Sequence, residues 1–198
     1  MYHYLKRALD VFFSALLLLL LWPALAVLMA AVRADSKGPA IFRQVRAGRG
    51  RRLFTIYKLR TMAEGAERFA GLLAPQGTAL KDRAADPRIT RIGRFLRKYS
   101  LDELPQLINV FKGDMSLVGP RPLVLPEVNA LPAAALQRFD VRPGMTGFAQ
   151  VDCRETTDQT ERLCRDIYYV QHCSPALDLR ILLFTLREVI LGGNTFSR

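Results

Sequence analysis

Hydrophobic and polar positions are distributed unevenly along this chain. From Val11 to Val32 the run VFFSALLLLLLWPALAVLMAAV carries no charge. As a straight helix it would reach roughly 33 Å, enough to cross the hydrocarbon core of a bilayer. Pro23 stands near its middle, where it removes one helical hydrogen bond and crowds the preceding turn, and so predicts a bend. Lys6 and Arg7 precede the run; Arg33, Lys37, Arg43 and Arg46 follow it. Short flanks rich in Lys and Arg stay on the cytoplasmic side, so both ends prefer that side. A straight span cannot satisfy both ends. A helix that enters, bends at Trp22-Pro23 and returns can. The pattern therefore predicts a re-entrant membrane hairpin over 1–36, followed by a membrane-associated domain over 37–198. A simple span and a secretory signal are the alternatives. The apolar region is longer than signal cores usually are, and the basic sequence behind it disfavours export.

Beyond the hairpin the pattern changes period. Ala40 to Met62 reads as two short strands around a Gly48-Arg49-Gly50 turn. Ala63 to Leu80 reads as a helix leading to a loop at Pro75 and Gly77. Asp86-Pro87 reads as a helix start, with Asp86 at the cap and Pro87 in the first turn. In the helix expected there, Ile89, Ile92, Phe95 and Leu96 form an apolar stripe, and Arg88, Arg91, Arg94, Arg97 and Lys98 take the remaining surface. Leu179, Leu182, Leu183, Leu186 and Ile190 recur at helical spacing near the C-terminus. Such stripes usually face a core; beside a membrane some lie in the headgroup layer instead. The expected fold class is a small, mainly helical α/β domain with interfacial amphipathic helices.

Composition narrows the partners. A chain of 198 residues with net charge +11 is one basic domain that seeks anions. Nucleic acid and the anionic face of a membrane are the usual ones, but no nucleic-acid recognition motif is present and such a role would leave the apolar run idle. Cys153, Cys164 and Cys173 cannot all pair and have no C-x-x-C spacing, which suits a reducing cytoplasm and gives no zinc set. Arg43, Arg46, Arg49, Arg51, Arg52, Lys58 and Arg60 crowd the strand pair with no acid among them. Most read as a solvated ribbon lying on anionic lipid. Lys58 and Arg60 differ, because Ile56, Tyr57 and Leu59 surround them, and a charge there needs a partner such as a substrate phosphate.

The densest chemistry lies in Ser100 to Pro122, SLDELPQLINVFKGDMSLVGPRP. Ser100 and Glu103 match a capping box, which would make the two acids mere helix-start residues. Pro105 fits better if the helix starts nearer Asp102. In either case Asp102 and Glu103 stand at the positive end of a helix, where ionised carboxylates are expected. An ionised, rigidly held Asp is a competent nucleophile toward phosphorus. Mg²⁺ binds one or two carboxylates and completes its shell with phosphates and water. Arg97 precedes the pair, and Arg121 sits between Pro120 and Pro122, a stiff mount for bidentate phosphate contact.

These residues resemble the monotopic polyprenol-phosphate phosphoglycosyl transferases among the bacterial sugar transferases. The resemblance covers nearly the whole chain: Lys6-Arg7-x-x-Asp10, Tyr57 to Met62, Asp86-Pro87-Arg88, Ser100 to Pro122, Arg142 to Gly147, Ala149-Gln150-Val151 and Asp166 to Val170. It implies transfer of a sugar 1-phosphate from a UDP-sugar to a polyprenol phosphate such as undecaprenyl phosphate, with loss of UMP, as the first membrane step of glycoconjugate assembly on the cytoplasmic face of the bacterial inner membrane. It implies Asp102 as the nucleophile and Glu103 as a holder of Mg²⁺ beside it. Arg97, Arg121, Lys58, Arg60 and Arg88 would then face phosphate. The chain departs from the family pattern at the bend, where relatives often carry Ser-Pro rather than Trp22-Pro23, and at Cys153, where many carry glycine. Two other readings remain: a glycosyltransferase that releases UDP, and a basic membrane-bound scaffold without activity. The sugar, the pathway and the oligomeric state are not legible.

Overall fold

The apolar run lies within one helix, α1, Tyr2–Asp35, with Pro23 inside it. The computed structural model describes residues 2–66, 86–153 and 158–190. Along the middle of α1 large apolar side chains stand bare, with Leu19 70% exposed, Trp22 63% and Val27 68%. Both ends, by contrast, are docked. Near the start, Arg7 donates to Val110 O and Phe111 O at 2.6 and 2.8 Å, and Asp10 accepts from Leu117 N at 3.0 Å. Near the end, Val32 is buried with Ala40, Leu59 and Leu96, and Asp35 accepts from Ile92 N at 2.9 Å. The Arg60 guanidinium donates to the carbonyls of Val32, Ser36, Lys37 and Gly38, and so closes the C-terminus of α1.

The expected strand pair is present. β1, Ile41–Ala47, runs antiparallel to β2, Leu53–Leu59, in a register from Ile41 opposite Leu59 to Ala47 opposite Leu53. A 3-10 turn at Arg49–Arg51 connects them, and Gly50 and Arg51 there take positive φ. Ile56 and Leu59 point into two neighbouring cores, one shared with Val110 and Met115 and the other with Val32 and Leu96.

The helix expected from Asp86-Pro87 starts later. Asp86 accepts from Arg88 N, a side-chain turn, and α2 is Arg91–Lys98 with Thr90 capping Gly93 N at 2.9 Å. Its stripe also divides: Leu96 is fully buried, whereas Phe95 is 49% exposed. Of the segment read as a helix from Ala63 to Leu80, residues 67–80 lie outside the described part. A short α3, Gln106–Lys112, carries the fully buried Asn109, whose amide accepts from Tyr57 N and donates to Thr55 O. That one side chain fastens α3 to β2.

The rest forms a second layer. β3, Ser116–Val118, pairs in parallel with β4, Gly144–Thr146. A β-carbon on Gly119 would lie 2.4 Å from Arg142 O, and one on Gly144 2.1 Å from Gly119 N, so only glycine allows this approach. Helices α4 (Leu125–Asn129), α5 (Phe148–Asp152), α6 (Gln159–His172) and α7 (Pro175–Ile190) follow. Val118, Tyr169 and Ile181 make the core shared by β3, α5, α6 and α7, while α4 packs against β1. The stripe Leu179, Leu182, Leu183, Leu186 and Ile190 does not join that core. It faces outward, while α7 packs through Asp178 and Ile181. The inward side also carries Thr185, whose hydroxyl meets Thr146 Oγ1 at 2.7 Å, so polar residues interrupt the apolar pattern there.

Candidate functional site

The carboxylate pair sits in a 3-10 turn, Leu101–Glu103, between α2 and α3. Ser100 does not cap it. Its φ of 54° is left-handed, and its side chain makes no capping bond, so the expected capping box is absent. The acids therefore precede α3 rather than open it, and Pro105 takes the position before its first residue. The left-handed Ser100 ends α2 before the turn begins.

Two elements aim side chains at this turn. Lys58 on β2 reaches Glu103 Oε1 at 2.7 Å, with both side chains partly exposed. Asn109, by pinning α3 to β2, sets that spacing. Arg97 on the last turn of α2 donates through Nε to Thr61 Oγ1 at 2.9 Å. The approach is possible because α2 presents Gly93 to Thr61, where a β-carbon would lie 2.1 Å from Thr61 O. Arg97 and Lys58 both act electrostatically on Asp102.

Asp102 differs from the sequence expectation in one respect. A helix start was expected to favour its ionised form, but its carboxyl is pushed up to about 6. Burial is the main cause and the Glu103 charge the next, against smaller opposing effects of Lys58 and Arg97. At pH 7 the ionised form still predominates by roughly tenfold. Among the described residues no other side chain hydrogen-bonds Asp102, so its oxygens keep open lone pairs.

The remaining expected residues divide. Arg121 is exposed on the loop after β3, and its backbone is held from behind. Arg138 donates through Nη2 to Arg121 O at 2.9 Å and to Asp166 Oδ2 at 2.6 Å. That ion pair is almost fully buried, and burial raises Asp166 to about 6 in spite of Arg138. Arg60 is engaged by the carbonyls that end α1, and Arg88 by Asp86 through a bidentate pair at 2.9 and 2.7 Å. The latter pair holds the Asp86 carboxyl down at about 2. Neither guanidinium is committed to the carboxylate turn. Sequence reasoning missed Arg46, which it placed on the lipid-facing ribbon. Arg46 is drawn instead to the Arg121 loop, donating to Pro122 O at 3.0 Å. Period-2 counting along β1 could have found it, since Gln44 and Arg46 share one face.

The turn thus holds two neighbouring carboxylates, Glu103 paired with Lys58 and Asp102 without a side-chain hydrogen bond among the described residues, with Lys58 and Arg97 acting on Asp102. Comparison with known proteins gives the family. The bacterial sugar transferase family model matches residues 1–192. The chain is 42% identical over 199 residues to the UDP-glucose:undecaprenyl-phosphate glucose-1-phosphate transferase of Caulobacter vibrioides, covering 96% of this chain and 72% of that protein. It is 39% identical over 190 residues to the uncharacterized sugar transferase EpsL of Bacillus subtilis, covering 95% and 88%. Identity is also 39% over 203 residues to the undecaprenyl-phosphate glucose phosphotransferase of Komagataeibacter xylinus, of which the match spans 37%. The chain belongs to the bacterial sugar transferase family.

Proposed function

We propose that this protein transfers a sugar 1-phosphate from a UDP-sugar to a polyprenol phosphate, undecaprenyl phosphate being the acceptor its relatives' names give, and releases UMP. The observation that carries the mechanism is Asp102: half-buried, next to the Lys58–Glu103 pair, and without a side-chain hydrogen bond among the described residues. An Asp102 oxygen attacks the sugar-bearing phosphorus and UMP leaves. The polyprenol phosphate oxygen then attacks the same phosphorus and frees Asp102. Lys58 and Arg97 offset the phosphate charge, so an anionic nucleophile can approach an anionic substrate.

Mg²⁺ fits the donor set. Among the described residues no group of three or more His, Cys, Asp or Glu gathers for a metal. Asp102 and Glu103 would thus give two carboxylates at most and leave the rest of the shell to substrate phosphate and water, as this ion prefers. When bound, it neutralises phosphate charge. Incubating protein with UDP-sugar, polyprenol phosphate and Mg²⁺ tests the reading. UMP is expected, and EDTA should stop its release. UDP instead would mean that only the sugar moves, and no nucleotide at all would favour a scaffold.

The re-entrant hairpin belongs to the same proposal. One helix of 34 residues docks at both ends on one domain and stays bare between them. A straight helix would carry Arg7 and Asp35 roughly 40 Å apart, whereas a bend at Trp22-Pro23 brings both ends to one membrane face. The outward stripe of α7 and the exposed Phe95 then suit the headgroup layer on the cytoplasmic side. Cysteines placed at Lys6 and Lys37 should label from the same side. In a Pro23→Ala chain they should label from opposite sides; unchanged labelling would remove Pro23 from that role.

A further inference from the structure

Arg46 projects from the end of β1 into the loop that carries Arg121, and its guanidinium is held in a fixed pose. Nε and Nη2 both donate to Gln44 Oε1, at 3.0 and 2.6 Å, and Nη1 donates to Pro122 O at 3.0 Å. One residue on, Ala47 N donates to Leu123 O at 2.9 Å, so strand and loop are stitched together. Glu127 lies 3.8 Å from Nη1, too far for a hydrogen bond. A guanidinium has five N–H bonds. Among the described residues, one N–H on Nη1 and one on Nη2 remain without an acceptor. The side chain is only 13% exposed. Burial and the adjacent Arg121 charge both press against the Arg46 charge, and Glu127 and Glu103 offset them only in part. Two arginines side by side, one preorganised with spare donors, suit an anion with more than one acceptor oxygen.

The site is also polarised. The charges acting on Asp102 are Glu103, Lys58 and Arg97. Those acting on Arg46 are Arg121, Glu127 and Glu103. The anchoring divides the same way: Lys58 is bound to Glu103 and Arg97 to Thr61, whereas Arg46 is bound to the loop that carries Arg121. In phosphoryl transfer the attacking and leaving oxygens are roughly in line, so the leaving group emerges on the side away from the nucleophile.

We propose that Arg46, with Arg121, binds the phosphate that departs with the nucleoside, the nucleoside-side phosphate of the donor diphosphate. The inference rests on the phosphoglycosyl reading above and names the residue that receives its leaving group. In the step it serves, a bond forms between an Asp102 oxygen and the sugar-bearing phosphorus. The bond from that phosphorus to the bridging oxygen breaks, and its electron pair stays on the nucleoside monophosphate. No proton need move. The two spare Arg46 N–H bonds meet the charge as it gathers on the departing phosphate. Arg46 is then a substrate-binding residue, where β1 alone would make it a strand staple.

Equilibrium binding of UMP, UDP-glucose and uridine to Asp102→Asn protein in nanodiscs, with Mg²⁺, is the test. Adding Arg46→Gln should weaken UMP and UDP-glucose by roughly 10- to 100-fold, the loss expected for hydrogen bonds to a charged group. Uridine, which has no phosphate, should bind the two proteins alike. Equal UMP binding would overturn the assignment. So would an equal loss for uridine, because that would mark a collapsed loop. If the Asp102→Asn parent bound neither nucleotide, the donor reading itself would fall and this inference with it. Should Arg46→Gln not fold, Arg46→Lys in the active chain keeps the charge and loses the fork. There the KM for UDP-glucose should rise and UMP inhibition weaken, with the KM for polyprenol phosphate unchanged. A parallel rise in both KM values would overturn the inference.

Discussion

Asp102 and Asp178 are both shielded carboxylates, and their surroundings could hardly differ more. Asp178, at the start of α7, accepts from Tyr2 OH, from Lys6 Nζ at 2.5 Å and from Tyr169 OH at 2.7 Å. It joins the beginning of α1 to α6 and α7, and its oxygens are occupied. Asp102 has an acid beside it, cations near it, and no side-chain donor bound to it among the described residues. A carboxylate that holds a fold together is saturated with donors. One that carries chemistry keeps its lone pairs, and the fold bears the repulsion that follows.

The sharpest way to break this contrast is to neutralise each acid in turn. Asp102→Asn should lower turnover by at least ~1,000-fold, in the range of losing a nucleophile. Its melting temperature should hold or rise, since a shielded charge beside Glu103 is removed. Asp178→Asn should cost about 3–5 kcal/mol by leaving Lys6 without its counter-ion, and activity should follow the folded fraction. Thermal melts and UMP release on both variants decide the matter; if the two behaved alike, the distinction would be lost.

Arg138 gives a second, smaller test. It lies in neither region but braces the Arg121 loop through Arg121 O. Arg138→Met should destabilise by about 3–5 kcal/mol, because it strands Asp166 in the interior. Combining it with Asp166→Leu should restore most of that loss, yet the KM for the donor should stay raised, because Arg121 is no longer braced. Recovery of both would make the pair purely structural.

Protonation sharpens the comparison with the least disturbance. In metal-free protein, carboxyl-carbon NMR should find two aspartates titrating near pH 6, one lost in Asp102→Asn and the other in Asp166→Asn. Both folded-state values lie above the ordinary one near 3.8, so these groups favour folding most in acid and lose that contribution as pH rises through about 6. Asp86, held at about 2, has the opposite sign: its contribution is present above about 4 and is lost as pH falls toward 2.

Much of this was legible in the sequence because local pattern decided it. The uncharged run became α1, the alternation around Gly48 and Gly50 became the strand pair, and Asp102 and Glu103 stand side by side after Arg97 as their spacing suggested; that Lys58 joins them came only from the resemblance. The partners that other predicted cations take in the fold were less legible. Arg60 looked like a phosphate ligand until the carbonyls ending α1 proved to be its partners. Arg88 is taken by Asp86 in a turn where a helix was expected. The parallel pairing of Ser116–Val118 with Gly144–Thr146 joins segments with no shared local signal, and only the glycines at 119 and 144 hint at it. The α7 stripe was legible for its period but not for its direction, because amphipathicity fixes which residues share a face and not what that face meets.

The most direct measurement is to supply UDP-sugar labelled in its sugar-bearing phosphate with the lipid acceptor withheld, quench, and map the protein by mass spectrometry. The account predicts one phosphosugar adduct, on the peptide containing Asp102, formed in step with UMP and discharged when polyprenol phosphate is added. UMP release with no adduct, or an adduct on any other residue, would contradict it.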